Sequence, residues 1–333
     1  MKFYVVVFFT LIVCNAAAQD KSLDFYLKAA LNSSPLLKDY NNQVRSNLID
    51  SMRIKATYKP QVNGTSNNSY APVINGWGYD NAITNGANIS ALVGVNQKLV
   101  GKQNLQNQYE AIRLQNEGLN ITGKISEQDL KKTITSQYIA AFGIGQQLSY
   151  NNEMLDLLKK EEGVLKELAG KGVYRQTDYL TFLVTLQQQQ IQISQIKQQY
   201  QNEFATLNYL SGINDTSFTT LQMPSLDSLM PPGLEQTVFY RQYEIDSMKL
   251  RNSDAQIDFS YKPKVSLFAD AGYISSLMYL PYKNLGSSVG FNVTVPIYDG
   301  HQRKMQHDKI TIAEESRQQY RDFFKTQCYS RNA

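Results

Sequence analysis

The chain has 333 residues, of which 42% are hydrophobic and 19% charged, with a formal net charge of +4. That length holds one large or two ordinary domains with a true core, and the slight basic excess, diluted among many Gln and Asn, excludes the concentrated Lys/Arg face of a nucleic-acid binder. Two cysteines, Cys14 and Cys328, exclude a disulfide framework.

At the N-terminus, Lys2, the apolar run from Phe3 to Val13 and Asn15-Ala16-Ala17-Ala18 form the three regions of a secretory signal, so residues 1–18 are expected to be cleaved after Ala18. The apolar run falls well short of the roughly 20 residues that cross a bilayer. Leu11-Ile12-Val13-Cys14 also suggests a lipoprotein signal, but Val13 is bulky for the position before a lipidated cysteine, and ordinary cleavage is the preferred reading. Both readings export the chain. No later segment is apolar and long enough for a membrane helix, so any membrane span has to be built from strands.

Ser34-Pro35 reads as N-cap and first residue of a helix that runs through Leu37, Val44 and Leu48 to about Ala56. A repeat follows. Ile49-Asp50-Ser51-Met52-Arg53 and Tyr58-Lys59-Pro60-Gln61-Val62 return as Ile245-Asp246-Ser247-Met248-Lys249 and Tyr261-Lys262-Pro263-Lys264-Val265. Each Tyr-Lys-Pro leads into a Gly- and Asn-bearing stretch, an alternating strand, a Gly and a polar helical run, which reads as an internal duplication.

The strands have one apolar face each. Ala87, Ile89, Ala91, Val93 and Val95 alternate with Asn88, Ser90, Gly94 and Asn96; Val265, Leu267, Ala269, Ala271 and Tyr273 alternate with Ser266, Asp270 and Gly272; Phe291, Val293, Val295 and Ile297 alternate with Asn292, Thr294 and Pro296. Alternation alone describes a sandwich strand between core and water as well as a barrel strand between lipid and lumen. Tyr70, Trp77 and Tyr79 in one copy and Tyr273, Tyr279 and Tyr282 in the other stand at strand ends, where an interfacial aromatic girdle belongs.

Between the strand pairs, Leu105, Ile112 and Leu119 recur at sevens, as do Ile134, Ala141, Leu148 and Leu155, then Leu158 and Leu165, and later Leu186, Ile193, Tyr200 and Leu207. A 3.5-residue period predicts helices that coil around neighbours. As one element, Gly101 to Ala169 would be roughly 100 Å long at 1.5 Å per residue, with bends or interruptions expected at Gly118, Gly123, Gly143, Gly145 and Gly163. Gln187 to Gln190 read as a wet helix face. At the turn, Gly170 and Gly172 can end the first helix, and Thr177 is a candidate N-cap with Asp178 in the next first turn. A tight helix connection explains this stretch equally well. The linker from Asp215 to Gly233, with Pro224, Pro231 and Pro232, separates the two copies.

Chemistry-bearing motifs are lacking. His301 and His307, the only histidines, do not share a metal-binding spacing and read as solvated helix positions; no phosphate loop, nucleophile elbow or zinc-type cysteine cluster is present. No catalytic residue, cofactor or metal is expected, and the chain does not read as an enzyme.

Taken together, these stretches resemble the TolC family of outer-membrane efflux channels, from Leu23 to about Tyr320. The stretch from Leu23 to Leu36, containing Asn32-Ser33-Ser34-Pro35, is similar to the family's N-terminal pattern. Val295-Pro296-Ile297-Tyr298-Asp299-Gly300 is similar to its strand-to-helix signature, and Gly172-Val173 with Thr177-Asp178 to its hairpin tip. The resemblance implies an α+β membrane protein with internal duplication: long antiparallel coiled-coil helices forming a periplasmic α-barrel, and strands for a shared trimeric transmembrane β-barrel. It further implies a homotrimer that docks a periplasmic adaptor joined to an inner-membrane pump, in a Gram-negative outer membrane. Docking falls on Gly172, Val173, Thr177 and Asp178, with Gly170 as local geometry, and lipid contact on Val289, Phe291, Val293, Val295 and Ile297.

The implied map is 1–18 signal peptide, 19–57 N-terminal periplasmic helices, 58–100 first strand pair, 101–212 helical hairpin with its tip near 170–178, 213–260 linker and equatorial helix, 261–298 second strand pair, and 299–333 the start of a second hairpin. A second unit as long as the first would run past residue 333, so truncation of that hairpin is expected. The implied function is a passive conduit of a tripartite efflux or type I secretion system. The alternatives are a periplasmic coiled-coil adaptor, a structural interaction protein, which leaves the strands unexplained, and a truncated channel fragment without function.

Overall fold

The computed structural model describes residues 22–79, 87–215, 217–225, 233–276 and 280–332. The signal-peptide reading, Cys14, Tyr279 and the Pro231-Pro232 part of the linker lie outside them. The elements are α1 (Leu23–Ser33), α2 (Pro35–Thr57), β1 (Gln61–Tyr70), β2 (Ala87–Leu99), α3 (Lys102–Gly170), α4 (Gln176–Ser211), α5 (Val238–Ser260), β3 (Lys264–Ser275), β4 (Leu285–Thr294) and α6 (Gln302–Asn332). Contacts group them into two units, one combining the chain up to Lys38 with Ser126–Met230, the other Asp39–Ile125 with Pro231–Ala333.

In the first unit α1 packs on α4. Ser22 caps α1 by accepting from the Phe25 N–H at 3.4 Å, and one helical face delivers Leu23, Tyr26 and Ala30 to the core. There they meet Ile134, Tyr138 and Ala141 of α3 and Tyr200, Phe204 and Leu207 of α4. Tyr26 and Phe204 cross edge to face at 6.5 Å, and Tyr26 lies 5.8 Å from Tyr138. The chain after α4 folds back over this cluster: Leu221 is buried in it, and the Tyr138 hydroxyl donates to the Gln222 carbonyl at 2.7 Å. α4 ends in a left-handed Gly212, with Gly212 N–H donating to Tyr209 O and Ile213 N–H to Asn208 O, the Schellman pattern.

The buried seam of α4 carries Leu186, Tyr200 and Leu207 as the seven-residue spacing predicts, leaves Ile193 half-buried, and adds Ile196, Phe204, Asn208 and Ser211. Gln189 departs from the wet-face reading: its Nε2 donates to Asn151 Oδ1 on α3 at 2.9 Å, while Gln187, Gln188 and Gln190 remain outside. A paired polar layer in a coiled seam sets register, because any slip leaves both amides unsatisfied.

In the second unit, β1, β2, β3 and β4 form one antiparallel sheet in that order. α2 and α5 are each 23 residues long, and each leads through Tyr-Lys-Pro into a strand. Ile245 of α5 is fully buried against Leu114 and Ile121 of α3. That seam is displaced by two positions from the one expected through Ile112 and Leu119, which are half-buried. The expected interruptions of α3 do not occur, since the helix is continuous from Lys102 to Gly170. Gly118 and Gly123 leave room for neighbours: a Cβ at Gly118 would stand 2.3 Å from Lys249 Nζ, and one at Gly123 3.7 Å from the Tyr40 ring. In the first unit Gly145 does the same for Tyr200.

α5 and α6 pack side by side. His307 of α6 pairs with Asp254 at 2.5 Å and reaches Asp258 at 3.3 Å, Arg303 binds Asp258 at 2.6 Å, and Phe324 meets the rings of Phe239 and Tyr243. His307 is thus a paired residue rather than a solvated one, because α5 presents its carboxylates to that face of α6.

Candidate membrane-facing sheet and hairpin tip

The register divides the sheet into two unlike faces, since directly opposed residues of an antiparallel pair share a side. Val62 pairs with Val95, Val95 with Ala269 and Ala269 with Val289; Leu267 pairs with Phe291, and Val265 with Val293. Ala91, Val93, Tyr273 and Leu285 continue this apolar face. On the other side lie Asn63, Thr65, Asn67, Asn96, Ser266, Asn292 and Ser288, with Asp270 accepting from the Ser288 hydroxyl at 2.8 Å. Leu92, Phe268 and Ile274 break that polarity, as Ser66, Asn68, Gln97 and Ser287 break the apolar face; Phe268 lies across Gly290, where a Cβ would come within 2.6 Å of its ring.

The apolar face is uncovered, as is the polar one along β1 and most of β4. Val289 is 83% and Phe291 69% exposed, while no helix among the described residues carries a span apolar enough to cross a bilayer. Strand lengths of 10, 13, 12 and 10 residues reach or exceed the roughly 9–11 needed per tilted membrane strand. β2 and β3 lie against each other closely at Gly272 (φ +155°), where a Cβ would sit 2.1 Å from the Ala91 carbonyl oxygen.

Of the five residues assigned to a lipid-facing strand, Val289, Phe291 and Val293 stand on β4 and share the apolar face. Val295 and Ile297 do not belong to the strand: its last pair is Thr294 with Lys264, beyond which β3 has only Pro263, while Pro296 has no N–H to continue a ladder. Both side chains are exposed, Ile297 by 96%. Asp299 then turns the chain, accepting from His301 N–H at 2.9 Å and Arg303 N–H at 2.7 Å, with Gly300 and His301 left-handed. The Arg303 amide foremost, then the Tyr261 hydroxyl and the His301 amide, hold the Asp299 carboxyl below the usual carboxylate range. The aromatics Tyr70, Trp77, Tyr79 and Tyr282 are exposed around the opposite strand ends, whereas Tyr273 is half-buried within β3.

The hairpin tip, in the first unit, joins α3 to α4 in five residues. Gly170 is the last helical residue and Gly172 takes φ +71°; Val173 N–H donates to Leu168 O at 3.0 Å and Gly172 N–H to Ala169 O at 3.1 Å, a second Schellman motif. The apolar residue after such a glycine commonly packs back on the helix, yet Val173 is 75% exposed. Thr177 is not the N-cap. Arg175 takes that position, its carbonyl accepting from Asp178 and Tyr179, because the chain stays extended through residue 175; Thr177 and Asp178 occupy the first turn, 3.4 Å apart through their side chains. The tip thus presents Val173, Thr177 and Asp178 outward together. Among the described residues no group of His, Cys, Asp and Glu could hold a metal ion.

Sequence reasoning did not find the His307 pairing or the Asp299 cap. The Asp-Gly pair signalled a turn; nothing along the chain tied His307 to α5.

No known family profile and no curated protein sequence matches the chain. Solved structures do. The chain is similar to the outer-membrane protein VceC of Vibrio cholerae (12% identity, TM-score 0.68, covering 92% of this chain and 76% of that one). It is also similar to the outer-membrane channel CmeC of Campylobacter jejuni (13%, 0.71, 92% and 68%) and to the open-state outer-membrane channel MtrE of Neisseria gonorrhoeae (12%, 0.67, 93% and 71%). At such identities the likeness is one of fold.

Proposed function

Since the chain has the fold of the TolC-family outer-membrane channels, we propose that it is the outer-membrane conduit of a tripartite efflux or type I secretion system. The observation that carries this reading is the exposed sheet with one mainly apolar face and one mainly polar face opposite. A soluble sandwich would cover that apolar face; a lipid bilayer wets it and stabilises it by roughly 25 cal/mol per Å² removed from water.

Four strands cannot close a barrel, and β1 and β4 each leave an edge unpaired among the described residues. Three copies joined edge to edge would supply twelve strands and abolish every edge, which supports a homotrimer. The polar face then lines a water-filled lumen, and α3 and α4 stand in the periplasm with α6. The duplication follows the same logic, with α2–β1 and α5–β3 as equivalent joints. In this reading Gly172, Val173, Thr177 and Asp178 dock a periplasmic adaptor that couples the conduit to an inner-membrane pump, and Gly170 shapes the turn. The chain itself performs no covalent chemistry.

The test is fractionation and assembly. Expressed in a Gram-negative host, the chain is expected in the outer membrane as a trimer that resists SDS until heated, and Val173→Cys is expected to cross-link to an adaptor. Recovery as a soluble periplasmic monomer would defeat the proposal.

A further inference from the structure

Where β2 passes into α3 and α5 passes into β3, the second unit surrounds a cavity of about 720 Å³. Lys98, Lys102, Lys262 and Lys264 line it, together with amide, hydroxyl and apolar side chains, and no Asp or Glu does. None of these lysines is in an ion pair among the described residues. The α5 carboxylates closest in sequence, Asp254 and Asp258, are engaged by His307 and Arg303 of α6. The first turn of α3, which forms one wall, carries no acidic residue either. The four lysines are exposed, and with no carboxylate on the lining to balance them they favour an anion in the cavity.

The volume falls within the roughly 300–1,000 Å³ of small-molecule sites. Its walls are not uniformly polar: the Phe259 ring contributes apolar surface, and the Lys262 ammonium lies 4.5 Å from its centroid. Lysines that merely reach for lipid headgroups from a membrane strand would stand on its apolar face. Lys98 and Lys264 stand on the other, paired with Ser266 and Thr294.

We propose that this cavity binds an amphiphilic organic anion, with a sulfonate, phosphate or carboxylate among the lysines and an apolar body against Phe259. Its position on the lumenal side, in the path of a transported solute, rests on the channel reading; binding itself is a property of the single chain. The same anionic chemistry is carried by a soluble solute and by a phospholipid headgroup.

The experiment titrates the full chain, purified in a neutral maltoside detergent, with naphthalene-2-sulfonate and with uncharged naphthalene-2-sulfonamide by calorimetry. The sulfonate is expected to bind about tenfold tighter or more, and to weaken as salt is raised. K98Q/K264Q is expected to lose about tenfold and K98R/K264R less than about threefold, since charge rather than shape is read. Equal binding of the two probes, or full affinity in the Gln variant, overturns the proposal; if that variant fails to fold, the two-probe comparison on the unaltered chain decides. In nanodiscs, sulfonate binding suppressed by phosphatidylglycerol but not by phosphatidylcholine assigns the cavity to a headgroup, and binding retained in both assigns it to a soluble anion. Failed binding by a protein that inserts as a trimer overturns this inference alone. A chain that binds the sulfonate yet never reaches the outer membrane overturns the channel reading and leaves the cavity's chemistry standing.

Discussion

Tyr26 and Tyr138 share one core, yet their hydroxyls are in opposite circumstances. Tyr138 donates to the Gln222 carbonyl, whereas the Tyr26 hydroxyl is buried with no hydrogen-bond partner among the described residues. Burial is also the main cause that pushes the Tyr26 phenol far above its ordinary range. A buried, unsatisfied polar group costs about 1–3 kcal/mol. Tyr26→Phe is therefore expected to leave stability unchanged or raise it by about 1 kcal/mol, and Tyr138→Phe to lower it by a similar amount. Denaturant midpoints of the two variants check this, and a destabilised Tyr26→Phe would show that the hydroxyl has a partner after all. The aromatic periodicity made Tyr200 legible as core, but a hydroxyl's partner sits on a returning loop that no helical pattern announces.

Pairs of helices carry information that single helices lack. The α5–α6 contact contains His307 between Asp254 and Asp258, and the hydrogen bond to Asp254 is the leading cause that raises the imidazole above its ordinary value. Such a group stabilises the fold fully below its unfolded pKa, and the contribution fades as pH rises through the higher folded value. Arg303 on Asp258 does not titrate in this window, and neither does Glu314, held down to about 2 chiefly by Arg317. The expected outcome is faster amide exchange of α6 at pH 8 than at pH 6, after correction for intrinsic rates, with the difference abolished in His307→Gln. Equal pH dependence in both proteins would remove His307 from the account. The same limit explains the displaced seam of α3: a seven-residue count finds a stripe, but the neighbour decides which edge of that stripe is buried. Ile245 on α5 chose Leu114 and Ile121.

Across the whole molecule, the two faces of the sheet make a paired prediction. Val289 and Ser288 are adjacent on β4 and point to opposite sides. A lysine facing lipid costs about 2–4 kcal/mol near the bilayer midplane, whereas one facing a wet lumen costs little. Val289→Lys is expected to reduce the heat-sensitive oligomer in the outer membrane severalfold, and Ser288→Lys to leave it near the unaltered level; the reverse order would place the polar face outside. Sequence alone determined the one-sided strands, the long coiled helices and the turns at Gly172 and Asp299-Gly300, because each rests on local periodicity or backbone freedom. Only tertiary structure decided the strand order, the end of β4 at Thr294, the polar layer of Gln189 with Asn151, and the gathering of four lysines around one cavity. These depend on which distant segments meet, and alternation or heptad spacing is indifferent to that choice.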